Sequence, residues 1–65
     1  MKQVFNMGVY VEDTARFEKI LNMYRIGLND WDKTKVFDAY NGKVVFYIIM
    51  CTEQEYNNIR NTMYH

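Results

Sequence analysis

Few residues in this chain are of types that do covalent or acid–base chemistry, and their placement argues against it. Cys51 is the single cysteine. It stands directly before Thr52-Glu53-Gln54-Glu55, a capping-box pattern that opens a helix, and a helix N-terminus can lower a thiol pKa. A thiolate nucleophile also needs a base. The single histidine, His65, is the last residue, where fraying prevents positioning. Cys51 therefore reads as a small apolar core residue. Serine is absent, and the three glycines belong to no GxGxxG or GxxxxGK pattern. Asp30-x-Asp32 offers two carboxylates, but a calcium loop needs more oxygen ligands and a closing glutamate. No metal, no cofactor and no enzymatic activity are expected.

Residues suited to binding are more plentiful. Trp31 lies between two carboxylates, and tryptophan is over-represented among residues that anchor protein partners. It can equally fold back over the open end of a small core. Six tyrosines are present, a residue enriched at interface cores because it joins large area to a polar tip. Tyr10, Tyr40 and Tyr47 fall in strand-like segments, where aromatics can also stack nucleic-acid bases. Against that, Lys43-Val44-Val45-Phe46-Tyr47 lacks the glycine–aromatic pattern of an RNP1 motif. Basic residues are not gathered around the tyrosines.

Eight basic residues balance eight acidic ones in 65. Nucleic-acid binding draws on phosphate neutralisation, so the zero net charge counts against it. The same neutrality does little to keep copies of the chain apart, and a homodimer is expected. A chain of this length buries only roughly 60% of its unfolded surface, so its stability is marginal alone. One cysteine permits no internal disulfide, which favours a reducing, cytoplasmic setting. No signal-peptide pattern opens the sequence, and the longest apolar run, Val44 to Cys51, is too short to span a membrane.

The elements follow from periodicity. Phe5, Met7, Val9 and Val11 alternate with Asn6, Gly8 and Tyr10, predicting a strand over 2–11 with one buried face. Ala15, Phe17, Ile20, Leu21 and Tyr24 form an apolar helical stripe, predicting a helix over 13–26 with Asp13 as N-cap. Gly27 is the expected left-handed cap, with Leu28 closing back on Met23. Asn41-Gly42 predicts a tight hairpin turn between a strand over 34–40 and another over 43–51. That turn would set Tyr40 opposite Lys43, Asp38 opposite Val45 and Phe37 opposite Phe46. The capping box opens a final helix over 53–64.

One domain, 1–65, therefore has the order β-α-β-β-α. With the long apolar strand central, the sheet is antiparallel in the order 1-3-2 with both helices on one face. This arrangement resembles a ferredoxin-like fold lacking its fourth strand. The helices are expected to cover Phe5, Met7, Val9, Phe37, Phe46 and Ile48. The other face, carrying Tyr10, Val36, Tyr40, Val45, Tyr47 and Ile49, is expected to be bare. Exposed apolar surface of that kind marks an interaction site, and the free edge of the first strand is a second candidate. The resulting expectation is a small, non-catalytic protein-binding module. Its most concrete version is a phage- or mobile-element-encoded inhibitor of a host protein, acting through that face, a strand edge or the Trp31 loop. A single-stranded nucleic-acid binder and a dimeric small-ligand regulatory domain are the alternatives.

Overall fold

Antiparallel pairing on both sides of one central strand sets the architecture. A computed structural model describes residues 1–64; His65 lies outside the described residues. Strand β1 (Gln3–Tyr10) leads through a 3-10 turn (Val11–Asp13) into helix α1 (Thr14–Met23). Strands β2 (Trp31–Ala39) and β3 (Gly42–Cys51) follow, and helix α2 (Glu53–Met63) comes last. The sheet order is β1-β3-β2, with β3 antiparallel to both neighbours. The fold is a small α+β domain consistent with a ferredoxin-like fold without its fourth strand.

The register decides which face is covered. Phe5, Met7 and Val9 lie directly opposite Ile49, Tyr47 and Val45. Side chains directly opposite in a ladder share a face, so the apolar set of β1 joins the odd-numbered set of β3. Both helices pack on that side. The core unites Met7 and Val9 with Val45, Tyr47, Ile49 and Cys51, then with Phe17, Ile20 and Leu21 of α1 and Ile59 and Met63 of α2. Phe5 stacks on Tyr56 of α2, with ring centroids 4.2 Å apart. The expected assignment of faces therefore holds for β1, where Phe5, Met7 and Val9 lie under the helices and Tyr10 does not, and is reversed for β3 and Phe37: Phe37, Phe46 and Ile48 are on the helix-free side.

Local chemistry fixes the element ends. The α2 capping box forms in both directions: Glu55 N donates to Thr52 Oγ1 at 3.1 Å, and Thr52 N donates to Glu55 Oε1 at 2.9 Å. Asp13 occupies the α1 N-cap position without a side-chain hydrogen bond. At the other end of α1, Ile26 N donates to Leu21 O and Arg25 N to Asn22 O, the two bonds of a Schellman closure. The left-handed residue is Arg25, with φ 61°, in place of Gly27. Ile26, which is buried, needs the apolar position just past that turn. This moves the closure two residues earlier than expected and leaves Leu28 exposed.

The hairpin differs in the same direction. Ala39 pairs with Gly42, Asp38 with Lys43 and Phe37 with Val44, so Tyr40-Asn41 forms the tip. This register sets opposite charges across the ladder, and Gly42 takes a φ of 146° that side-chain-bearing residues rarely adopt. A slip of two residues leaves every side chain on its face. A bulge between Lys33 and Val36 then changes the parity along β2, so Trp31 and Lys33 share the helix side with Val36.

Candidate functional site: the helix-free sheet face

On the side away from the helices, β3 contributes Val44, Phe46, Ile48 and Met50. Val4 lies opposite Met50 and Tyr10 opposite Val44 on β1, and Phe37 lies opposite Val44 on β2. Phe46, Ile48 and Met50 keep 41–45% of their surface in water although they sit on the central strand. The arrangement is ordered: Phe37 and Phe46 meet edge to face at 5.8 Å. A Cβ at Gly8 would stand 3.1 Å from Phe46 Cε1 and 3.3 Å from Val44 Cγ1, so the missing side chain is what lets the Phe46 ring settle against β1. Leu28, Trp31, Val4, Ile48 and Met50 wall an open groove of ≈ 500 Å³ at one end of the face.

The electrostatics are plain. Neither the β1 positions from Val4 to Tyr10 nor the β3 positions from Val44 to Met50 on this face carry a charge. On β2 the carboxylate of Asp32 lies opposite Ile48. At the end of the face Lys2 pairs with Asp30 at 3.3 Å, and an uncharged centre bordered by Asp30 and Asp32 is a poor counterpart to phosphate.

The seven residues singled out from the sequence divide. Val45, Tyr47 and Ile49 are in the core beneath the helices, which removes them from any docking surface. The physical reason is that β3 is apolar on both sides, so its own pattern cannot select a face; β1 does. Trp31 opens β2 and is half-buried, its ring 5.6 Å from that of Tyr47, so it walls the core and the groove together. Tyr10 is on the helix-free face. Val36 is exposed on the helix side at the β2 edge, and Tyr40 is fully exposed at the hairpin tip. Val4, Phe37, Phe46, Ile48 and Met50 were missed as surface residues. The parity of Cys51 is the signal that identifies them: it precedes the α2 cap and must face α2.

The titratable groups of the interior have structural roles. Tyr47 Oη donates to Glu18 Oε2 at 2.6 Å, and Lys33 Nζ reaches the same oxygen at 3.2 Å. The Tyr47 hydroxyl, aided by Lys33, holds the Glu18 carboxyl below its ordinary value against partial burial. Burial, with the Glu18 charge adding to it, pushes the Tyr47 phenol well above its usual range. Burial also raises the Cys51 thiol, and the Glu55 carboxylate raises it further, in line with the buried apolar residue expected from the sequence. Among the described residues no cluster of three metal-ligating side chains occurs, and no helix is long and apolar enough to cross a membrane.

No family model, curated protein or solved structure matches this chain.

Proposed function

We propose that the chain is a small, non-catalytic protein-interaction module of the cytoplasm that acts through the helix-free face of its sheet. The observation that carries this is the exposure of Phe46, Ile48 and Met50 at the centre of the sheet, where side chains of this size are ordinarily covered. Contiguous apolar surface on a small domain marks a place where another macromolecule sits. The acid–base groups support the non-catalytic reading, since Glu18 and Tyr47 satisfy each other and Cys51 is held as a buried thiol. The lack of positive charge on the β1 and β3 positions of the face, with Lys2 at its end already paired with Asp30, favours protein over nucleic acid.

A photo-crosslinking residue in place of Phe46, irradiated in lysate of the native cell, tests this directly. The control places the same residue at Met23, which is exposed at the end of α1. The expected result is a protein adduct at position 46, of a second copy or of another chain, and none at position 23. No protein adduct at 46, a nuclease-sensitive adduct, or equal labelling at both positions would overturn the proposal.

A further inference from the structure

We infer that the occupant of the helix-free face is the same face of a second copy, so that two chains stack sheet on sheet with their helices outward. This rests on reading the face as an interaction surface and names what covers it.

Area is the first argument. Val4, Tyr10, Phe37, Phe46, Ile48 and Met50 are exposed by 62, 38, 49, 43, 41 and 45%. At roughly 200 Å² for a fully exposed large apolar side chain, that is roughly 550 Å² per copy. Two such faces, covered completely, remove roughly 1,100 Å² from water, which reaches the level of about 1,000 Å² that a specific interface needs.

Charge and shape give the second. A two-fold contact sets each surface against itself, so a charged face would meet its own sign. This face carries uncharged residues along both β1 and β3, and Asp32 lies on the edge strand rather than at the centre. Phe46 lies against Gly8, which keeps the middle of the face low. Stacked sheets approach to about 10 Å, and a low centre permits that.

The sheet edges supply the third. Strand β2 carries Asp32, Lys33, Lys35 and Asp38 and a bulge, devices that discourage edge pairing. On β1, the Tyr64 hydroxyl donates to the Gly8 carbonyl at 3.1 Å, so a residue just past α2 already occupies an acceptor of that strand. Self-association is thereby directed to the face.

Sedimentation velocity over a concentration series is the test. The wild-type chain of 7.9 kDa should sediment as a dimer that dissociates on dilution. Ile48→Asp should weaken the dimer by roughly 100-fold, because each copy would bury an unpaired carboxylate. Met23→Asp should leave it unchanged. Circular dichroism checks that Ile48→Asp is folded, and Met50→Lys takes its place if it is not. A wild-type chain that stays monomeric at millimolar concentration, or folded face variants that dimerise as the wild type does, would overturn the inference. A monomeric chain whose position-46 crosslinker still captures another protein would overturn the second copy alone and leave the interaction module standing. No protein adduct at all would remove both.

Discussion

The Tyr47 hydroxyl donates a 2.6 Å hydrogen bond to the Glu18 carboxylate, joining the middle of the central strand to α1. The same ring packs on Phe17 at 4.6 Å and on Trp31 at 5.6 Å. A buried phenol needs a hydrogen-bond partner, and this one explains how a tyrosine can sit at the centre of the core.

Tyr47→Phe keeps the ring and removes the bond, and should cost about 1–2 kcal/mol, read from chemical denaturation. The pH dependence should change with it. Glu18 titrates below its ordinary value in the folded chain, so its contribution is present above pH 4.5 and is lost as the pH falls through the lower folded value. Tyr47 titrates above its ordinary value, so its contribution is full below pH 10 and is lost as the pH rises beyond that. In Tyr47→Phe both limbs of the stability profile should flatten, the alkaline one most.

Trp31→Ala should lower stability by about 2–3 kcal/mol, less than for a fully buried tryptophan because the ring is half-exposed. A domain of this size has only about 3–5 kcal/mol to lose. Thermal melts should therefore show a strongly lowered midpoint, with at most about half of the chain unfolded near room temperature. A Trp31→Ala chain with an unchanged melting temperature would place the ring outside the core.

Arg25 holds a left-handed backbone conformation at the end of α1. Arg25→Gly should relieve that strain and stabilise the fold by about 0.5–1 kcal/mol after the entropy of the unfolded glycine is counted. Thr52→Ala removes the side-chain half of the α2 capping box and should cost about 1 kcal/mol. Denaturation of the two variants beside the wild type measures both.

The elements and their order were legible because each carries a local signature. The alternation of β1, the apolar stripe of α1 and the Thr52–Glu55 box act within a few residues, and the expected strands and helices form. The sheet order follows from the length and apolarity of β3. What was not legible was the choice of face, since Val44-Val45-Phe46-Tyr47-Ile48-Ile49 satisfies a core on either side. That choice rests on the pairing of Met7 with Tyr47 and on a hydrogen bond to Glu18, 29 residues away. The α1 closure at Arg25 lies two residues before the expected Gly27, and the hairpin tip at Tyr40-Asn41 lies one residue before the expected Asn41-Gly42. In the first case burial of Ile26 outweighed the preference of glycine; in the second Gly42 joins the ladder opposite Ala39 in place of the turn. Of the seven residues that the sequence singles out, Tyr10 lies on the helix-free face and Trp31 walls the groove at its end; the other five do not belong to it.

Amide chemical shifts followed through a dilution series measure where the chain touches a second copy, residue by residue. The account predicts concentration-dependent shifts centred on Val44, Phe46, Ile48 and Met50 and reaching Val4 and Phe37, with α1 and the outer side of α2 unmoved. Shifts gathered on the helices, or a spectrum that does not change from micromolar to millimolar, would contradict it.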